Sequence, residues 1–223
     1  MLALNFENKA PDGINVLCLG AHCDDIEIGC GGSILKLIKS QQINSIVWIT
    51  FCSNQVREKE AFDSANSFLA DVKNKKIIIR DFKDGFLPYI GFDVKEEFEK
   101  LKQEIQPDLI FTHYRHDLHQ DHRLICDLTW NTFRNHFILE YEIPKYDGDL
   151  GTPNLFLVLD DDIVKQKLDI IFENFKSQYT KEWFSRETLT SLMKLRAVEC
   201  QAARKYAEAF YNRKTILEFH PGN

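Results

Sequence analysis

The sequence predicts an α/β protein, a doubly wound three-layer sandwich around a mostly parallel sheet. Two observations predict it. Short apolar runs of the kind that suit strands buried on both faces alternate with segments whose apolar residues recur at helical spacing. The connections are also long enough for right-handed crossovers between parallel strands. The 223 residues show no Gly/Ser/Pro-rich linker and no internal repeat of 20–50 residues, so one domain over 1–223 is expected, with a helical and strand-bearing C-terminal extension from about residue 160 packed on it.

Ile14 to Gly20 (INVLCLG) is the first strand, and a Gly-rich loop follows it. Ser33 to Ser40 has helical spacing in Ile34, Leu35, Leu37 and Ile38. Asn44 to Phe51 is the second strand. Arg57 to Asp71 is a helix with Ala61, Phe62, Ala65, Phe68 and Leu69 on one face. Lys76 to Arg80 is a third strand, Val94 to Ile105 a helix stopped by Pro107, and Asp108 to Thr112 a fourth strand. Residues 120–136 read as helix. Tyr141 to Pro153, with two Pro and two Gly, reads as a loop excursion. A fifth strand, Leu155 to Leu159, precedes a helix from Ile163 to Phe175. A long helical stretch runs from about Glu187 to Tyr211, and Thr215 to Phe219 reads as a closing strand.

Composition narrows the function. Thirty-four acids against 28 bases give a formal charge of −6, without the electrostatic footprint of a general nucleic-acid binder. No run approaches the ~18 apolar residues of a membrane span. The N-terminal MLALNFENKAPDG has neither a basic n-region nor an apolar h-region. A chain of this size needs no disulfides, and Cys18 and Cys52 sit inside strand-like runs. The expectation is a cytoplasmic protein with reduced thiols; a homo-oligomer is compatible with this.

Five of the seven histidines fall in two segments. Gly20-Ala21-His22-Cys23-Asp24-Asp25 opens the Gly-rich stretch after the first strand. His113-Tyr114-Arg115-His116-Asp117-Leu118-His119-Gln120-Asp121-His122 follows the fourth. Open α/β sheets bind ligands beyond the carboxyl ends of their strands, and strands one and four commonly flank the switch point. Imidazole and carboxylate are good zinc ligands, and a catalytic site takes three of them and keeps one position open. His22 and Asp25 can converge in a tight turn, and His119 and His122 share a helix face. Asp24 or Asp25 could instead cap the next helix, and the second segment could be a solvated polar loop. A dinucleotide reading fails, because Gly20, Gly29, Gly31 and Gly32 do not make G-x-G-x-x-G and two carboxylates occupy the place of a pyrophosphate.

At these residues the chain resembles the LmbE/PIG-L family of zinc-dependent N-deacetylases. The family pattern is A-H-P-D-D, then G-x-G-G, then H-x-D-H. Here it is Ala21-His22-Cys23-Asp24-Asp25, Gly29-Cys30-Gly31-Gly32 and His119-Gln120-Asp121-His122, with cysteine in place of the proline. Supporting features are Arg57-Glu58-Lys59-Glu60-Ala61, Asp84-Gly85-Phe86-Leu87, Ser177-Gln178 and Tyr206-Ala207-Glu208-Ala209-Phe210, so the likeness spans residues 14 to about 210.

The resemblance implies a Rossmann-like fold and removal of an N-acetyl or other acyl group from an amino sugar, free or nucleotide- or lipid-linked. It implies zinc, or another divalent metal, on His22, Asp25 and His122. It makes Asp24 the general base, and His119 the oxyanion stabiliser or proton donor, oriented by Asp121. It gives Arg57 a substrate contact. Cys23 and Cys30 read as packing residues, and His113 and His116 as loop residues or supports rather than ligands. Arg57, Arg80 or Arg115 would meet a phosphate if the substrate carries one. The competing class is a metal-binding or nucleotide-binding α/β domain without turnover. A structural metal site usually has four protein ligands and cysteines, so the surplus carboxylate of Asp24 argues for a hydrolase.

Overall fold

The computed structural model describes residues 13–40 and 42–216. A seven-stranded sheet has the order β3-β2-β1-β4-β5-β7-β6. The strands are β1 (Ile14–Gly20), β2 (Ile43–Cys52), β3 (Lys75–Phe82), β4 (Leu109–His113), β5 (Phe137–Tyr141), β6 (Leu155–Leu159) and β7 (Tyr206–Tyr211). The first five run parallel, and β7 lies antiparallel between β5 and β6.

The strand sequences explain the layers. Alternate residues of β1 serve two cores. Val16 and Cys18 face the layer of α1 (Asp25–Lys39), α2 (Gln55–Phe68) and α5 (Asp161–Asn174). Leu17 and Leu19 face α3 (Gly91–Glu104) and α4 (Gln120–Thr132). A strand covered on both sides has no use for polar residues, hence the unbroken apolar run. α6 (Arg186–Glu199) packs on β7. All six cysteines are free and buried. No helix among the described residues is long and apolar enough to cross a membrane.

The sandwich and its mostly parallel sheet are as expected, and three elements differ. The helix after β1 begins at Asp25, not Ser33, because the glycines of Gly29-Cys30-Gly31-Gly32 are helical. None of them has positive φ. They are small because other groups press on the helix: a Cβ on Gly29 would lie 2.1 Å from the Tyr141 ring, and one on Gly32 2.8 Å from a Glu208 oxygen. Next, β5 was hidden between a helix and a loop. Finally, the long helix to Tyr211 breaks after Glu199, with Gln201 at φ 49°, and Tyr206–Tyr211 is a buried strand of the sheet. Residues 215 and 216 are not in a strand, and the rest of the expected closing strand lies outside the described residues, as do residues 1–12.

β1 is paired with β2 on one side and β4 on the other, so the chain reverses its direction of winding there. The carboxyl ends of β1 and β4 open onto one crevice.

Candidate metal and catalytic site

The two His/Asp segments meet in that crevice. Cys52 donates its backbone N–H to the Ala21 carbonyl, and Asp25 Oδ2 accepts from the His22 N–H at 2.6 Å, closing the turn between β1 and α1. Asp24 occupies the N-cap position of α1 but makes no side-chain cap bond. Capping therefore does not account for the paired carboxylates.

His22 Nδ1 lies 3.0 Å from His122 Nε2 and 3.3 Å from Asp25 Oδ2, and the His122–Asp25 distance is 3.5 Å. Three donor atoms from residues up to a hundred positions apart thus form a nearly equilateral triangle. The edge of a tetrahedron with bonds of 2.0–2.1 Å is about 3.3 Å, so this donor set fits a small divalent cation in both size and chemistry. Side chains able to hold a metal fall into three overlapping groups: His22 with His119 and His122; His22 with Asp84, His119 and Asp121; and Asp25 with His113 and His122.

The remaining ring atoms are also answered. His122 Nδ1 donates to Asp117 Oδ2 at 2.8 Å, which leaves Nε2 as a lone pair facing the triangle. His22 Nε2 lies 3.1 Å from Asp84 and 3.3 Å from Asp121. Burial alone would push His22 down, but Asp25, Asp121 and Asp84 outweigh it and hold it well above the usual histidine range. His122 goes the other way, to about 4, through burial and then the neighbouring His113. Burial would raise Asp25, yet the His122, His113 and His22 rings keep it well below the usual carboxylate range.

Asp24 is buried. Its Oδ1 accepts from Arg57 Nη2 at 2.7 Å, while Oδ2 has no partner. α2 starts beside it because Asn54 caps that helix through the Val56 and Arg57 N–H groups. Arg57 is thus a partner of Asp24 through Nη2, while its Nε has no partner. His119 caps α4, its Nδ1 accepting the Asp121 N–H at 3.2 Å, and its ring centroid lies 4.7 Å from that of His22. Burial, and then the charge on His22, lower the His119 pKa.

A family model described as "PIG-L: GlcNAc-PI de-N-acetylase" matches residues 17–133, from β1 to the end of α4. This chain belongs to the PIG-L family. Solved structures extend the likeness past β5. N,N'-diacetylchitobiose deacetylase from Pyrococcus horikoshii superposes with a TM-score of 0.70 at 22% identity, over 93% of this chain and 86% of its own. A deacetylase of the teicoplanin biosynthetic pathway gives 0.67 at 17%, over 89% and 97%. GalB from Pseudomonas putida KT2440, a 4-carboxy-2-hydroxymuconate hydratase, gives 0.70 at 16%, over 94% and 100%. The fold thus carries more than one reaction, and function has to be argued from the site.

Two sets of residues singled out in the sequence have partners of their own. The Asp121 carboxylate does not turn to His119. Its oxygens accept the N–H groups of Gly85 at 2.7 Å and Leu87 at 3.1 Å, and one of them faces His22. Only the Asp121 backbone meets His119. Of the three arginines named for a phosphate, Arg57 pairs with Asp24, Arg80 pairs with Glu97, and Arg115 is exposed.

Sequence reasoning missed the supports. Asp117 lies inside the His-rich segment and its i, i+5 relation to His122 was the available signal. Asp84 arrives because Gly85, at φ 80°, turns the β3–α3 loop so that its N–H meets Asp121. Lys145 could not have been foreseen from spacing. It comes from the β5–β6 loop to lie 3.0 Å from Asp117 and 2.5 Å from Asp149. Cys23, beside the triangle, donates its thiol to the Cys52 carbonyl, as a packing residue does.

Proposed function

We propose that this protein is a metal-dependent N-deacetylase of amino sugars, with His22, Asp25 and His122 as ligands of a zinc or similar divalent ion. The observation that carries the reading is the triangle of donor atoms, with the half-free carboxylate of Asp24 next to it in sequence. Its membership in the PIG-L family and its likeness to an N,N'-diacetylchitobiose deacetylase and a deacetylase of the teicoplanin biosynthetic pathway support the choice of reaction.

A bound ion there supplies Lewis acidity and lowers the pKa of a coordinated water. The chain's own residues do the rest. Asp24 Oδ2, buried and unpartnered, takes the proton of the attacking water as it adds to the acyl carbon. Arg57 holds the other oxygen and fixes the carboxylate's direction. With Nδ1 accepting the Asp121 N–H, His119 carries its proton on Nε2. It therefore donates a hydrogen bond to the developing oxyanion as a neutral imidazole, in keeping with its lowered pKa. The proton on Asp24 passes to the amide nitrogen as the C–N bond breaks, releasing a free amine and acetate.

The test is metal content together with turnover of an N-acetylglucosamine glycoside. About one metal per chain, lost in both His22→Ala and His122→Ala, is expected. Asp24→Ala should keep the metal and lose about 10²–10⁴ in kcat. Full activity in Asp24→Ala, or no metal after reconstitution, overturns the assignment.

A further inference from the structure

Asp117 holds two histidines of the site at once. Its Oδ2 accepts from His122 Nδ1 at 2.8 Å, and its Oδ1 accepts the His119 N–H at 2.7 Å. The loop between β5 and β6, residues 142–154, is seated on this carboxylate. Lys145 Nζ lies 3.0 Å from Asp117 Oδ2, and Asp149 accepts the Leu118 N–H at 2.6 Å and the Lys145 ammonium at 2.5 Å. The loop has no helix or strand of its own, and its residues 146–148 and 150 are exposed. A segment of this kind keeps two charged groups in place only if it is fixed from outside.

Its two ends are fixed by the same pair of residues from the C-terminal part of the chain. Arg196 of α6 donates to both oxygens of Glu142, at 2.6 and 2.7 Å, and to the Gly151 carbonyl at 3.2 Å. Arg196 and Glu142 are buried, and a guanidinium meeting a carboxylate through two bonds fixes direction as well as distance. Tyr211, at the end of β7, accepts the Gly151 N–H at 3.0 Å and donates its hydroxyl to Glu142 at 3.4 Å. Its ring stacks on Tyr114 of the β4–α4 loop, with centroids 3.7 Å apart. Gly151 has no room for a side chain: a Cβ there would lie 2.8 Å from the Tyr211 hydroxyl oxygen and 2.9 Å from that of Tyr114. Glu142, Gly151, Arg196 and Tyr211 all lie outside residues 17–133, the part that the family model matches.

Resting on the metal reading above, we propose that Arg196 and Tyr211 are positioning residues for the metal centre. They fix both ends of the β5–β6 loop. The loop holds Asp117 through Lys145 and Asp149, and Asp117 aims His122 and braces His119. The C-terminal part of the chain is then a working part of the site.

Three variants test this, each followed by the thermal melt of the metal-free protein and by zinc affinity in competition with a chelator. Gly151→Ala presses on both tyrosine hydroxyls, Tyr211→Phe removes one hydroxyl and keeps the ring, and Arg196→Met releases Glu142. Each should weaken zinc by about two- to fivefold, less than the tenfold or more lost with a direct partner of a ligand. In an Asp117→Ala background the same substitutions should change zinc affinity no further, because the loop then has nothing to hold. Members of one network couple in this way, whereas independent sites add. Wild-type zinc affinity in both Gly151→Ala and Tyr211→Phe, or losses that multiply with that of Asp117→Ala, overturns the proposal. Arg196→Met leaves a buried carboxylate unpaired; where it does not fold, Tyr211→Phe decides.

Proton exchange keeps this separate from the metal reading. In metal-free protein with isotope-labelled histidine, the His122 Nδ1 proton is protected by its bond to Asp117. Its exchange with solvent, followed by NMR, should quicken several-fold in Gly151→Ala and Tyr211→Phe. Quickened exchange in a protein that takes up no zinc refutes the metal reading and supports the anchors. Unchanged exchange in both variants of a protein that binds zinc refutes the anchors alone.

Discussion

Replacing Asp117 by alanine isolates the claim that His122 is held for a metal. The carboxylate is 2% exposed and accepts from His122 Nδ1 at 2.8 Å. No other group bonds that nitrogen. Without Asp117 the ring can change tautomer and turn, and Nε2 no longer waits as a lone pair. Loss of such an outer partner typically costs 10–100-fold in metal affinity, or about 1.4–2.8 kcal/mol. Asp117 belongs near the upper end of that range because it has no substitute. His22 provides the internal comparison: its Nε2 has two carboxylates, so Asp84→Ala leaves Asp121 in place. A loss of less than about tenfold is expected there. Asp117 also accepts the His119 N–H at 2.7 Å. Asp117→Asn, which keeps an acceptor, should therefore fall between wild type and alanine.

Competition with a chromophoric chelator at fixed pH measures the three affinities. A thermal melt of each metal-free variant separates loss of fold from loss of binding. Unchanged zinc affinity in Asp117→Ala, or a larger loss in Asp84→Ala, would refute the assignment of Asp117 as the support of a ligand.

Lys145→Met should weaken zinc by a few-fold, less than Asp117→Ala, since it loosens Asp117 without removing it; the same competition assay reads it. Gly29→Ala puts a methyl into the Tyr141 ring and should cost about 1–3 kcal/mol, seen as a melting-temperature drop of about 2–4 °C per kcal/mol. Lys167→Met strips a buried cation from Glu208, which it meets at 2.6 Å, and should cost about 3–5 kcal/mol in the same melt. Glu27 is fully buried, and burial, with Asp24 and Asp25 adding to it, holds its carboxyl well above the usual range. The folded state then binds a proton that the unfolded state releases, so stability falls as pH rises from the unfolded value, about 4.3, towards the folded one. Melts at pH 5 and pH 8 in chelator should show a smaller difference for Glu27→Gln than for wild type.

How much of this was legible follows from what the sequence spells locally. β1 could be read to the residue because a strand buried on both faces is a plain apolar run. The two His/Asp segments could be placed together because sheet topology puts the ends of β1 and β4 side by side. β7 was missed because Tyr206-Ala207-Glu208-Ala209-Phe210 buries a carboxylate. A Glu in an apolar segment looks like the polar side of a helix unless its partners, Lys167 and the Gly32 and Ser33 N–H groups, are known. The pairing of Arg57 with Asp24 was not legible either, because the two lie 33 positions apart and only the fold brings α2 beside the start of α1. Asp121 meets His119 through its backbone N–H, because His119 is the N-cap of α4, while the Asp121 carboxylate turns to the β3–α3 loop.

The glycines of α1 connect the core to the chemistry. Gly29 admits the Tyr141 ring against the helix, and Tyr141 donates its hydroxyl to the Leu19 carbonyl at 2.6 Å, one residue before the end of β1. Glu208 takes the N–H groups of Gly32 and Ser33, and Lys167 takes the Ile28 carbonyl. The helix is therefore clamped from β5, β7 and α5 within two turns of its start, and Asp25 is its first residue. In a close-packed interior a Cβ at position 29 cannot be absorbed by a small shift of the ring, so it must move the helix or the strand. Either movement displaces Asp25 relative to His122, which sits on the other loop. The G-x-G-G pattern and the His/Asp pattern therefore describe one requirement, a helix held close enough to β5 and β7 for its first carboxylate to complete the triangle.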